Sequence, residues 1–243
     1  MKVAISGVTG RMGKTILSLL KEFKDMQFVG GIDKEKGFDY LSELPDVIID
    51  FSNHSFISKL LEYALKNSCK LVIGTTGYTE KEEKAIKDAS NKIAIFKSSN
   101  MSIGINVMNI LLKEAVEILG KDTDIEIIEM HHNKKKDAPS GTAKMFYQTI
   151  KEVLSSAVPV YGRVGESMRT KNEIGMHSIR AGGIFGIHNV IFAQDDEIFE
   201  LKHTALSRRA FARGALKAVE FISKKEKGLY SMLDLLKEEL NEG

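Results

Sequence analysis

HHNKKKDAPSG, from His131 to Gly141, places two histidines, three lysines and an aspartate ahead of a helix-like run that starts at DAPSGTAKM. Residues of these types serve a metal site, a nucleic-acid patch, a solvated charged loop, or an acid catalyst beside an anion pocket. The preceding DIEIIEM alternates as a strand does, with Ile125, Ile127 and Glu129 on one side. Extended geometry carried forward keeps His131 on that side and turns His132 to the other. Histidines that diverge do not share a metal ion, no cysteine is near, and the only nearby carboxylate is Asp137, so no metal is expected. Pro139 suits a position at or before a first helical turn, Ser140 can cap, and Gly141 and Thr142 present backbone N–H groups. Such a helix start attracts anions, and without a chain of glycines a carboxylate fits it better than a pyrophosphate. Lys135, four residues after His131, adds a positive charge and a proton donor. Together these are the parts of an acid catalyst next to a carboxylate pocket. Lys134 and Lys136 are expected on a solvated face.

A second group lies at the N-terminal end. KVAIS runs into GVTGRMG, with glycines at 7, 10 and 13 and helical periodicity immediately after. A strand, a tight glycine turn and a helix start present N–H groups and the positive end of a helix dipole to a pyrophosphate. Thr9 stands where the more familiar dinucleotide pattern has its second glycine. Asp33 closes the next strand, where a carboxylate accepts from ribose hydroxyls, and Lys34 and Lys36 offer partners for a 2′-phosphate, leaving NAD and NADP both open. GTTGYT and KSSNMSIG end two further strands and set small polar residues where open α/β sheets bind ligands.

These groups need elements to hold them. Short apolar runs at 3–6, 28–33, 47–51, 71–74 and 93–96 alternate with helical periodicity at 11–24, 54–67 and 80–90, which predicts a doubly wound parallel sheet, a Rossmann-type dinucleotide-binding domain. VIIDF and LVIG are apolar at consecutive positions, as in strands covered on both faces. After a helix at 103–119, four longer strand-like runs and one helix at 141–154 predict a central α+β domain with an antiparallel or mixed sheet. Residues 155–172 are expected as a mobile loop, and 207–224 and 229–240 as helices without strands that return to the first domain. The expected domains are 1–103 with 207–243, and 104–206.

Composition narrows the classes further. With 243 residues, 43% of them hydrophobic and 28% charged, the chain can bury a sizeable core. A net charge of +2 gives no field that would recruit nucleic acid or an acidic membrane, and no basic field with interleaved aromatics occurs. Cys69 is the one cysteine, so no intramolecular disulfide forms, which suits a reducing cytoplasm. No apolar run is long enough to span a membrane, and MKVAISG enters a strand rather than a signal peptide.

EMHHNKKKDAPSGTA, with GVTGRMG, GTTGYT, IRAGGIFGIHNV and SRRAFARGA, closely resembles the dihydrodipicolinate reductase family, also called 4-hydroxy-tetrahydrodipicolinate reductases. The family pattern Glu-x-His-His-x-x-Lys-x-Asp-Ala-Pro-Ser-Gly-Thr is met at every specified position from Glu129 to Thr142, and the resemblance spans essentially the whole chain. It implies an NADH- or NADPH-dependent reductase of the diaminopimelate and lysine pathway, with a dicarboxylate heterocycle as substrate and a homotetramer assembled through the central sheet. It assigns His131 and Lys135 as proton donors, and His132, Ser140, Gly141 and Thr142 to the substrate. Cofactor contacts fall on Gly7, Val8, Thr9, Gly10, Arg11, Met12, Asp33, Lys34, Gly74, Thr75, Thr76, Ser98, Ser99, Asn100 and Met101, with Arg208 on the cofactor side. The segment after Asp33 is short for the family and carries lysine in place of arginine. Another small-acid dehydrogenase would explain the glycine loop but not the paired histidines; a nicotinamide-binding sensor would bind without turnover.

Overall fold

Residues 1–242 are described by a computed structural model, in which the chain divides into two compact units. One is Met1–Ile103 with the chain from Arg208 onward, and the other is Gly104–Ser207. In chain order the elements are β1 (Lys2–Ser6), α1 (Arg11–Leu20), β2 (Gln27–Ile32), β3 (Val47–Asp50), α2 (Ile57–Asn67), β4 (Lys70–Ile73), α3 (Glu80–Ala89), β5 (Ala94–Lys97), α4 (Ile103–Leu119), β6 (Asp124–His131), α5 (Gly141–Val153), β7 (Val158–Tyr161), β8 (Glu173–Arg180), β9 (Gly186–Ala193), β10 (Ile198–Ala205), α6 (Arg209–Ser223), β11 (Gly228–Tyr230) and α7 (Met232–Glu242).

The first unit is an α/β fold on a parallel sheet of order β11-β5-β4-β3-β1-β2. All of β3 is buried, as continuous apolar strands are when helices cover both faces. Helix α1 stops at Leu20, short of the expected residue 24, because successive turns (Glu22 N–H to Leu19 O, Phe23 N–H to Leu20 O) redirect the chain so that Met26 enters the core before β2. The expected helix at 54–67 begins with a 3-10 turn at His54–Phe56, capped by Asn53, before α2. Capping is clearest at α3, where Thr79 and Glu82 exchange hydrogen bonds.

Near the C-terminal end the structure corrects an expectation. Residues 228–230 do not open a helix but add strand β11 beside β5, and the helix starts only at Met232, after Ser231 donates to Asp234. Three residues are too few for a periodic signal.

The second unit is α+β, with a mixed sheet of order β10-β9-β6-β8-β7: β6, β8 and β7 run parallel, and β9 and β10 antiparallel to their neighbours. Ile105, Met108, Leu112 and Val116 of α4 and Ala143, Phe146 and Ile150 of α5 pack with Ile125, Ile127, Val190 and Phe192 of the sheet. The spacing of three and four on the helices and two on the strands is what this packing requires. Part of the expected loop at 155–172 is strand β7, whose Pro159 is tolerated because β7 is an edge.

Candidate active site

In the first unit the turn after β1 is shaped by its glycines. Gly7 has φ +79°, and a Cβ there would lie 2.4 Å from Phe51 O; one on Gly13 would lie 2.2 Å from Gly7 O. Gly10 is the N-cap of α1, with no side-chain cap and no acidic residue in the first turn. The helix start is therefore open to an anion and carries no carboxylate to repel it. Val8 is a wall residue, its methyl groups packed where a side chain on Gly31 would sit.

Two clefts adjoin this turn. One of about 790 Å³ is lined by Ser6, Gly7, Thr9, Asp33 and Lys34, and one of about 460 Å³ by Arg11, Met12, Gly74, Thr75 and Thr76; Ser52 and Asn53 line both. Asp33 accepts from Lys36 N–H and Glu35 N–H, each at 2.9 Å, and these bonds hold its carboxyl below the usual range. Nothing in the sequence points to Ser52 and Asn53, because no glycine marks their loop. Ser52 is fixed from below: the buried Asp50 carboxylate accepts from Ser52 Oγ at 2.5 Å and Thr75 Oγ1 at 2.6 Å, and Thr75 Oγ1 accepts from Ser52 N–H, while Asn53 accepts from Ser55 N–H. Ser98, Ser99, Asn100, Met101 and Arg208 lie outside both clefts. Ser98 Oγ donates to Asn100 O in a closed turn, and Met101 is buried, its carbonyl 1.7 Å from where a Cβ on Gly214 would be. Arg208 is the residue before α6.

In the second unit the strand phase carries Glu129 into the interior behind Ile125 and Ile127, and its residue is fully buried. Oε2 of Glu129 accepts from His131 Nδ1 at 2.5 Å and Arg180 Nη1 at 2.8 Å. Oε1 accepts from Arg180 Nη2 at 2.6 Å and Ser140 N–H at 3.1 Å. One carboxylate thus touches both His131 and the start of α5. Burial alone would raise the Glu129 pKa; the bonds from His131, Arg180 and Ser178 outweigh it and hold the group ionised, well below the carboxylate range. Asp137, expected as the only nearby carboxylate, instead faces Lys135 at 2.9 Å, and its carbonyl accepts from Arg180 Nη2. The correction follows from strand phase, which makes Glu129 the closer partner of His131.

Ser140 is buried and caps α5, its Oγ accepting from Ala143 N–H at 3.2 Å and lying 3.3 Å from His188 Nε2. Gly141 is exposed, with open space around a Cβ built on it, and Thr142 follows. His132 lies just past β6, its carbonyl accepting from Lys135 N–H. Lys134 and Lys136 are exposed, while Lys135 is half-buried. Buried His188 stacks edge-on to His131 and Phe146, with ring centroids at 5.1 and 6.0 Å, and burial pushes its imidazole down to about 3, so it is neutral at pH 7. Among the described residues no group of three or more His, Cys, Asp or Glu could hold a metal ion. Glu129, Arg180 and His188 were missed as site residues. The available signal was a charged residue in the phase of Ile125 and Ile127; the other two arrive only through register, His131 opposite Arg180 and Glu129 opposite His188.

A parallel sheet with a glycine-built first turn, joined to a unit that sets a histidine beside a helix start, defines a two-domain oxidoreductase of the dinucleotide-binding class. The chain belongs to the dihydrodipicolinate reductase family: the model of that family's N-terminus matches residues 1–101 and that of its C-terminus residues 104–236. The 4-hydroxy-tetrahydrodipicolinate reductase of Clostridium tetani is 46% identical over 243 residues, covering 96% of this chain and 95% of the relative. That of Rickettsia bellii is 42% identical over 244 residues, covering 99% and 96%. Among solved structures, dipicolinate-bound dihydrodipicolinate reductase from Paenisporosarcina sp. TG-14 superposes with a TM-score of 0.78 at 25% identity, covering 96% of this chain and 98% of that one. A probable dehydrogenase from Thermotoga maritima (TM-score 0.60, 11% identity, 97% and 92% covered) shares the fold.

Proposed function

We propose that the chain reduces 4-hydroxy-tetrahydrodipicolinate, or its dehydrated form dihydrodipicolinate, to tetrahydrodipicolinate in the diaminopimelate route to lysine, with NADH or NADPH as reductant. The observation that carries this is the shared Glu129 carboxylate, which sets a histidine and the start of α5 side by side. The first unit binds the cofactor. Its turn fits a pyrophosphate, since a Cβ on Gly7 or Gly13 would meet backbone and the start of α1 carries no cap. Asp33 addresses the ribose, and Lys34 in the same cleft accommodates a 2′-phosphate. Reduced nicotinamide, when bound, supplies hydride.

The second unit binds substrate. Backbone N–H groups at Gly141 and Thr142 hold one carboxylate, with the helix dipole favouring negative charge there. Lys135 balances charge and is a second proton donor, and His132 lines the approach. A conjugated cyclic imine that has accepted hydride is electron-rich and must gain a proton. His131 delivers it from Nε2, because Nδ1 is engaged by Glu129.

The protein works as a homotetramer in the cytoplasm. The sheet face turned away from α4 and α5 carries Ile128, Met130, Ile179, Ile187 and Ile191, with Ile179 and Ile198 exposed, and this is the surface expected to pair. Buried Cys69 is a free thiol, as suits a reducing compartment. No helix among the described residues is long and apolar enough to cross a membrane.

The test is to condense pyruvate with aspartate semialdehyde enzymatically, add the protein and follow NADH and NADPH absorbance. Oxidation of either cofactor that depends on the condensation product is expected. Folded protein that oxidises neither above background refutes the assignment.

A further inference from the structure

We infer that Glu129 is the positioning residue of the second unit's site: locked by Arg180, its carboxylate fixes the ring of His131 with one oxygen and the start of α5 with the other. The division of labour between the oxygens carries the inference. Oε2 takes His131 Nδ1, and Oε1 takes the N–H of Ser140, so proton donor and carboxylate cradle are referenced to one planar group. Arg180 grips both oxygens, at 2.8 and 2.6 Å, and donates to Asp137 O from the same nitrogen that holds Oε1. A two-point guanidinium contact fixes the plane of a carboxylate, which a single bond does not. The chain from His131 to Ser140 is thereby tied at its start, at Asp137 and at its end, although half of its residues are exposed.

Three strands supply the arrangement. Glu129 and His131 lie on β6, Arg180 is the last residue of β8, and His188 of β9 backs Ser140 Oγ at 3.3 Å. Glu129 is sealed from water, so its charge is balanced by Arg180 and by the hydrogen-bond donors around it. Its removal would leave the guanidinium with carbonyl partners but no carboxylate, as well as freeing His131. The chemical consequence concerns tautomers. A carboxylate facing Nδ1 keeps the hydrogen on Nδ1 of the neutral ring, so Nε2 is the nitrogen that takes up and gives the proton. This inference rests on the reductase assignment only for what the proton does; the clamp itself is independent of it.

Glu129→Gln separates the two duties. The amide oxygen can keep the place of Oε1, with Ser140 N–H and Arg180 Nη2, while the NH₂ group then faces His131 Nδ1, which it makes an acceptor, and Arg180 Nη1, which is left with the Ile179 carbonyl. The neutral ring is forced to carry its hydrogen on Nε2, the tautomer change that lowers turnover by about 10⁴ when the aspartate of a serine-protease triad becomes asparagine. The experiment combines ¹⁵N NMR of the His131 ring with turnover and with titration of the folded protein by dipicolinate and NADH.

Expected are a hydrogen on Nδ1 in the unsubstituted protein and on Nε2 in E129Q, a kcat loss of about 10²-fold or more, and dissociation constants for both ligands within roughly threefold. A purely structural role would move stability and both affinities together and leave the tautomer alone. The clamp is overturned if the unsubstituted protein carries the hydrogen on Nε2, an outcome independent of whether E129Q folds, or if E129Q retains Nδ1–H and near-normal kcat. An unsubstituted protein that shows Nδ1–H, with the switch in E129Q, yet turns over no heterocycle overturns the reductase assignment and leaves the clamp standing.

Discussion

The glycine turn of the first unit and the histidine site of the second are both helix starts, and they are built in opposite ways. The first is shaped by backbone: Gly7 at φ +79° and Gly13 against Gly7 O leave no room for side chains, and α1 has no side-chain cap. At the second, side chains do the work: Ser140 caps α5, Glu129 tethers its N–H, and His188 backs its hydroxyl. A diphosphate needs close approach and many N–H groups, which glycine permits. A carboxylate substrate whose ring must gain a proton needs placed donors, which side chains from several strands provide.

Substitutions can break that contrast. The largest effect is expected at the backbone-built turn. Gly7→Ala drives a Cβ to 2.4 Å from Phe51 O at a left-handed φ, and should cost about 3 kcal/mol of stability from strain and overpacking together. Urea unfolding measures it; a loss under roughly 1 kcal/mol would mean that the turn yields. At the side-chain site His131→Gln should leave stability near normal and lower kcat by roughly 10², about 2.7 kcal/mol of barrier, with cofactor affinity kept. Steady-state kinetics decides this, and a near-normal kcat would remove His131 from proton delivery.

A smaller effect concerns acid. The folded chain resists protonating His188 until about pH 3, whereas the unfolded chain takes the proton up at 6.5. Between those values the unfolded state binds more protons, so stability is fully present above 6.5 and falls as pH falls, by up to about 1.4 kcal/mol per pH unit. His188→Gln should flatten the dependence by that amount when urea midpoints are compared at pH 7 and pH 5. Equal slopes in the two proteins would show that His188 is not the group responsible.

What could be read from sequence follows the same contrast. Glycine spacing announced the first turn, because a backbone-built site leaves its constraint in residue type. VIID and the alternation of DIEIIEM likewise announced a covered strand and a one-sided one, and His131 fell in phase with Glu129. Arg180 and His188 were not legible as partners, since 51 residues separate Arg180 from Glu129 and 48 separate His188 from Ser140. Strand register brings them in, and register is a property of the whole sheet. Strands β7 and β11 escaped because four and three residues at sheet edges carry almost no periodicity.

Each unit is proposed to hold its own ligand, and calorimetric titration of Asp33→Ala and Lys135→Ala, each with NADH and with dipicolinate, decides it. Asp33→Ala is expected to weaken NADH by roughly 1 kcal/mol, about fivefold, with dipicolinate unchanged; Lys135→Ala is expected to weaken dipicolinate by a similar or larger factor with NADH unchanged. Two variants that lose both ligands to the same degree would show that the two sites are not separate.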